Sequence, residues 1–128
     1  MSSLHAAIGY AVVAVFAVGW VWAAGALVAR RDPGGRFWSW LVVAQVVAGV
    51  QALVGVVLLL MGLRASTWLH LVYGFGPLAI LLIGHGLARE VRRSGGGFPI
   101  EPWGVFGLAS FICFGLSLRA LMTGLGLG

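Results

Sequence analysis

The chain has 128 residues, of which 61% are hydrophobic and 9% charged, and its formal net charge is +5 at pH 7. These values exclude a water-soluble domain, because soluble chains carry about 25% charged residues. They also exclude disorder, since disordered segments are poor in apolar residues and rich in charge. The Arg residues lie between apolar runs and form no basic face, so no nucleic-acid partner is expected. A single Cys excludes an internal disulfide and a four-Cys metal site.

Four long apolar runs predict four membrane-spanning helices. They cover residues 4–29, 37–63, 67–88 and 103–122. Crossing the hydrocarbon core takes roughly 20 apolar residues, and backbone groups in lipid must find their hydrogen bonds within the segment. The first run lacks a positively charged start and is too long for the apolar region of a signal peptide, so we expect a retained span. The expected fold class is an all-α, polytopic integral membrane four-helix bundle within one transmembrane domain, residues 1–128.

Short connections predict that consecutive helices are antiparallel neighbours, in up-down-up-down order. The first connection, 32–35, reads Asp-Pro-Gly-Gly, and the second, 64–66, is barely a turn. The third, around 94–99, is rich in Gly and predicts a flexible linker. We therefore expect each helix to pack against the next one along the chain.

The distribution of Arg predicts the orientation in the membrane. Six of the eight basic residues lie in the first and third loops, which must share one side of the membrane. These are Arg30, Arg31, Arg36, Arg89, Arg92 and Arg93. The positive-inside rule then places these loops in the cytoplasm and both termini outside. The expected location is the cell (inner) membrane of a bacterium.

The chain matches itself when it is shifted by 65 residues. At this shift residues 4–10 and 69–75 share the pattern Leu-His-x-x-x-Gly-aromatic. A second match, between residues 62–65 and 117–120, has an offset of 55, so the second copy must be shorter in its last span or longer in its loop. The pattern predicts two tandem helical-hairpin repeats, about 1–65 and 66–128. Because each repeat has an even number of spans, the two copies are related by an axis along the membrane normal.

This repeat predicts a symmetric cofactor site near the outer face. In a four-helix bundle with short loops the first and third helices are diagonal, so His5 and His70 are expected to face each other. Two opposed imidazoles are the axial ligands of a six-coordinate haem b. Two glycines, Gly9 and Gly74, are assigned as clearance residues, because the missing side chain leaves room for the haem beside each His. Arg64 and Arg119 are assigned as anchors that bind the two haem propionates. The expected function is one-electron transfer to a membrane or periplasmic redox partner.

Two other interpretations compete with haem. Met61 and Met122 end the outer-facing spans, and thioether with imidazole suits copper. The other alternative is a cofactor-free small subunit or interaction protein of a larger membrane complex. Rows of small residues, such as Ala44-x-x-x-Ala48, let helices approach closely within the bundle or in a homo- or hetero-oligomer with other chains. No catalytic motif occurs, so an electron carrier or accessory subunit is favoured over an enzyme.

The third histidine, His85, lies 15 residues after His70, about 22 Å further along a helix at 1.5 Å per residue. Its depth matches that of Gln45 on the second span. Polar side chains at one depth bind helices together in lipid, so we expect a hydrogen bond between them.

Overall fold

The computed structural model describes residues 3–63, 68–95 and 101–125. Within these ranges the chain forms four helices. They are α1 (Ser3–Val28), α2 (Gly35–Leu60), α3 (Trp68–Arg93) and α4 (Pro102–Gly124). Each is long and apolar enough to cross a membrane. The predicted all-helical chain with four such helices is confirmed, and these helices indicate a multi-pass membrane protein.

The helix ends follow local sequence signals. Gly34, which precedes α2, has a φ of 85°, a conformation that glycine adopts without steric cost. Its N–H donates to Oδ1 of Asp32 at 2.7 Å, which stabilises the turn between α1 and α2. Glu101 precedes α4, and Pro102 occupies its first position, where a missing N–H costs no helical hydrogen bond.

Helix α3 is longer than its predicted span, which ended at residue 88. Its final turns carry Glu90, Arg92 and Arg93, and Glu90 pairs with Arg93 at 3.1 Å. Val91 is buried in the bundle. Basic side chains complement the negative end of the helix dipole. The helix therefore continues past the apolar run on which the span boundary was based.

The four helices pack as a ring. Helix α4 packs along both α1 and α3, α1 packs along α2, and α2 meets α3 at few points. Among the described residues, no Cα atom of α1 lies within 8 Å of one of α3, and none of α2 lies within 8 Å of one of α4, so these pairs meet only through side chains. Helices α1 and α3 are therefore diagonal, and the seam between α2 and α3 is the weakest of the four.

Small residues bring α4 against its neighbours. A Cβ atom added at Gly107 would lie 2.5 Å from Cβ of Ala23 on α1, far inside contact distance. On the other side, a Cβ atom at Gly84 of α3 would lie 3.6 Å from Cβ of Ala109. Small residues in such positions allow the close backbone approach by which helices associate in lipid.

Two apolar clusters form the core. The first comprises Ala23, Phe37, Leu41, Ala88, Val91, Val105 and Phe106, toward the end where the Arg-rich loops lie. The second comprises Val12, Phe16, Ala44, Ala48, Leu81 and Cys113, in the middle of the bundle. The remaining end of the bundle, where α1 and α3 begin, contains neither cluster.

We expect Gly107→Ala to destabilise the protein by about 1–3 kcal/mol, because the new methyl group forces α1 and α4 apart. Unfolding in detergent micelles, followed by circular dichroism during titration with a denaturing detergent, measures this change. Gly115→Ala is the control on the same helix, since a Cβ atom there meets nothing within 4 Å.

The paired variant Ala23→Gly with Gly107→Ala should recover most of the lost stability, because it moves the methyl group from one helix to the other. Equal stability of the Gly107→Ala and Gly115→Ala proteins would contradict the close approach of α1 and α4.

Candidate functional site

Two histidine side chains meet where α1 and α3 begin. The ring centroids of His5 and His70 are 6.0 Å apart, and the ring planes are inclined at 82°. His5 is 8% exposed, and His70 is half-buried. The structure thus brings together, across the diagonal of the bundle, the two histidines that the internal repeat matched.

The separation of the rings fits one metal ion between them. A metal–imidazole bond is about 2 Å long and the ring centroid lies about 1 Å beyond the nitrogen, so two axial imidazoles have centroids about 6 Å apart. Aromatic rings in direct edge-to-face contact fall in the same range. The distance is thus compatible with a shared metal but does not distinguish it from direct ring contact. The surroundings of each ring therefore bear on the choice between them.

His70 is oriented by α4. Its Nδ1 lies 2.8 Å from the carbonyl oxygen of Ala120 and 3.2 Å from Oγ1 of Thr123. A carbonyl oxygen only accepts, so Nδ1 carries a proton, and in the neutral imidazole Nε2 is the nitrogen with the free lone pair. Histidines that bind metals commonly donate their other ring N–H to a carbonyl in this way, which fixes both tautomer and ring orientation.

His5 is held from α2. Nε2 of Gln51 donates to the backbone carbonyl of His5 at 2.9 Å. A Cβ atom at Gly55 would lie 3.4 Å from Cε1 of the imidazole, so this glycine provides the surface on which the ring rests. Gln51 and Gly55 are four residues apart and share one face of α2. Sequence reasoning missed both as site residues, although a glutamine in an apolar span was the signal.

The two predicted clearance glycines differ in their surroundings. A Cβ atom at Gly9 would lie 3.2 Å from Nε2 of Gln51 and 3.5 Å from Cδ1 of Leu121. Gly9 therefore makes room for the glutamine that holds His5. A Cβ atom at Gly74 would meet nothing within 4 Å, so open space remains beside His70.

A cavity of about 320 Å³ contains both imidazoles and is partly open. All four helices line it. Its small lining residues include Ala6, Gly9, Ala48, Ala52, Gly55 and Gly74. The volume lies at the lower end of the roughly 300–1,000 Å³ that is typical of small-molecule sites. Because the cavity is partly open, this volume is not an upper limit on the size of a ligand.

Only one of the two predicted anchors for a carboxylate can be placed. Arg119 is half-buried, and its guanidinium carbon lies 5.5 Å from the ring centroid of Tyr73, a residue that lines the cavity. In the described part of the chain no carboxylate pairs with Arg119. The second predicted anchor, Arg64, lies outside the described residues.

The methionines assigned to the copper alternative are not part of the cavity wall. Met61 is 70% exposed, and Sδ of Met122 lies 4.0 Å from Nη1 of Arg119. The described residues contain no group of three or more His, Cys, Asp or Glu that could hold a metal ion. A metal in this cavity would therefore have to rely on the two imidazoles and on ligands of its own, as the iron of a porphyrin does.

The predicted hydrogen bond of His85 is confirmed. Its Nε2 lies 2.7 Å from Oε1 of Gln45, which links α3 to α2. The amide nitrogen of Gln45 donates to the carbonyl of Leu41 at 3.1 Å, and the His85 ring packs edge-on against Phe106. This polar contact crosses the seam at which α2 and α3 otherwise meet at few points.

No known protein family, curated protein or solved structure matches the chain. Function therefore has to be inferred from the chemistry of the site, because a helical bundle by itself supports many functions.

A double-mutant cycle on Gln45 and His85 should give a coupling energy of about 0.6 kcal/mol, the average for hydrogen bonds between membrane helices. Gln45→Leu, His85→Leu and the paired variant are unfolded in micelles, and the three changes in free energy are compared. A coupling indistinguishable from zero would show that the contact does not bind α2 to α3.

Proposed function

We propose that this protein is a small membrane cytochrome-like electron carrier that binds one haem b between His5 and His70. The observation that supports this most directly is the imidazole pair in one cavity, with Nδ1 of His70 donating to a backbone carbonyl. Haem supplies one-electron chemistry through its iron. The protein would supply two imidazole ligands and a cavity that all four helices line.

Each ligand is held by the helix that follows it along the chain. Gln51 of α2 donates to the backbone carbonyl of His5, and the carbonyl of Ala120 on α4 accepts from the ring of His70. The contact at the His70 ring raises the basicity of that imidazole and limits its rotation. The contact at His5 fixes the position of its backbone. The 6.0 Å separation of the two ring centroids, on helices that are diagonal in the bundle, supports a pair of imidazoles that would hold one haem iron.

Arg119 is the residue we assign to a carboxylate of the ligand. A guanidinium binds a carboxylate through two parallel charge-assisted hydrogen bonds. The position of Arg119 against Tyr73 holds this charge next to the cavity. Haem carries two propionates, and Arg64 remains the proposed partner of the second.

The proposal includes the topology inferred from the sequence. Contacts between α1 and α2 run in opposite directions along the chain, since His5 meets Gln51 whereas Val15 accepts a hydrogen bond from Trp40. This order supports antiparallel hairpins and, with the second hairpin, an up-down-up-down repeat. The positive-inside rule places the Arg-rich loops in the cytoplasm of a bacterial cell and the His pair near the outer face of its inner membrane. The redox partner would then be a membrane or periplasmic protein.

Purified protein loaded with haem should show a Soret band and, after reduction, sharp α and β bands of a low-spin, six-coordinate haem. His70→Ala should abolish the six-coordinate spectrum, because one axial ligand is removed. His85→Ala is the matched control, since this histidine lies on the same helix but bonds to Gln45 outside the site. Absorption spectroscopy in detergent makes the comparison.

A flat visible spectrum from protein whose circular dichroism shows intact helices would exclude haem binding and favour the cofactor-free subunit. Metal analysis of the same sample after washing with a chelator tests copper independently. An unchanged spectrum in the His70→Ala protein would exclude His70 as an axial ligand.

Arg119→Gln should weaken haem retention by roughly tenfold or more, because a hydrogen bond to a charged group contributes about 1.5–3 kcal/mol. The rate at which apomyoglobin removes haem from the protein measures retention. Arg93→Gln is the control, since Arg93 is exposed and pairs with Glu90 at the far end of α3. Equal release rates for the two variants would exclude Arg119 as a carboxylate anchor.

A further inference from the structure

Helices α2 and α3 meet at few points, and we define the space between them as the α2–α3 gap. At one end, His85 and Gln45 join the two helices through a hydrogen bond of 2.7 Å. At the other end, a Cβ atom at Gly74 of α3 would meet nothing within 4 Å. Gly74 lies about 16 Å from His85 along the helix at 1.5 Å per residue. The helices are therefore joined at His85, and open space lies beside Gly74.

The open end of this gap leads into the cavity. Leu71, Leu78 and His85 are spaced by seven residues and share one face of α3. His85 marks this face as the one turned toward α2, and Leu71 and Leu78 line the cavity. On α2, Ala52 and Leu59 also line it. The two helices thus form facing side walls of the cavity.

Helices α1 and α4 close the opposite side of the cavity. Val12 of α1 and Leu121 of α4 line it there. Beside the cavity these two helices are in contact, since a Cβ atom at Gly9 of α1 would lie 3.5 Å from Cδ1 of Leu121. Helices α2 and α3, by contrast, meet at few points. Of the four seams between neighbouring helices, the one between α2 and α3 is therefore the least closed.

The surroundings of this seam are apolar. Helices α2 and α3 are long and apolar enough to span a membrane, and Phe75, which lines the cavity, is 39% exposed. Exposed apolar side chains on such helices face acyl chains. From the proposed function of the site, we infer that haem reaches the histidines from the bilayer, by moving sideways through the α2–α3 gap.

The sequence of α3 suits movement at the open end. Pro77 has no N–H and cannot bond to the carbonyl of Tyr73 one turn earlier, a common cause of helix bending. The carbonyl of Pro77 lies 3.5 Å from Sγ of Cys113 on α4, which ties this point of α3 to the bundle. The segment before Pro77 is the part that has to yield to a ligand, while His85 keeps the far end joined to α2.

Closing the gap covalently tests this route. In a Cys113→Ser background, Leu59→Cys and Leu71→Cys are joined with bifunctional maleimides of several lengths, in apo protein reconstituted into phosphatidylcholine vesicles. Haemin is added, and growth of the Soret band gives the loading rate. Cross-linking before loading should lower this rate by about tenfold or more, a rise of at least 1.4 kcal/mol in the barrier. Cross-linking after loading should slow removal of haem by apomyoglobin to a similar degree.

Single-cysteine proteins treated with a monofunctional maleimide control for added bulk. A second pair of variants needs no cross-link: Gly74→Phe should obstruct the open end of the gap and slow loading, whereas Gly86→Phe should not. Both glycines lie on α3 with nothing within 4 Å of a Cβ atom. Normal loading through the closed gap, in protein that binds haem, would overturn the route alone. A missing Soret band in the untreated protein would overturn haem binding and the route together.

Discussion

The close packing of α4 against two neighbours is the constraint on which the shape of the bundle depends. Lipid provides no hydrophobic driving force between helices, so small residues and van der Waals contact have to hold them together. Gly107 meets Ala23 on one side of α4, and Ala109 meets Gly84 on the other. Because α1, α3 and α4 are joined in this way, α2 is left in contact mainly with α1, and the α2–α3 gap follows.

Polar contacts then give this packing its specificity. A buried polar group in lipid has few partners to choose from, so each hydrogen bond restricts the register of the helices that it joins. Gln51 connects α2 to His5, Ala120 connects α4 to His70, and Gln45 connects α2 to His85. The first contact fixes the backbone of His5, the second orients the ring of His70, and the third limits how far α2 and α3 can separate.

The close packing of the helices and the polar contacts between them together account for the candidate site. Apolar side chains fill the middle of the bundle and the end near the Arg-rich loops, while small residues line the remaining end. Space for a ligand and a pair of imidazoles therefore occur at the same place. In such a site a cofactor would supply the chemistry, and the protein would supply its binding and orientation.

The sequence alone determined that the chain forms four helices and that they lie in a membrane. Apolar runs without charge can satisfy their backbone hydrogen bonds in lipid only as helices. It also indicated the His85–Gln45 contact and the pairing of His5 with His70, since scarce polar residues at matched depths have few alternatives. It did not reveal the roles of Gln51 and Gly55, nor that Gly9 makes room for Gln51. These depend on which face of α2 turns toward α1, and an apolar helix in lipid carries almost no amphipathic signal of its orientation. Only the tertiary packing decided where the cavity lies and which side chains border it, because both depend on the close approach of small residues on neighbouring helices.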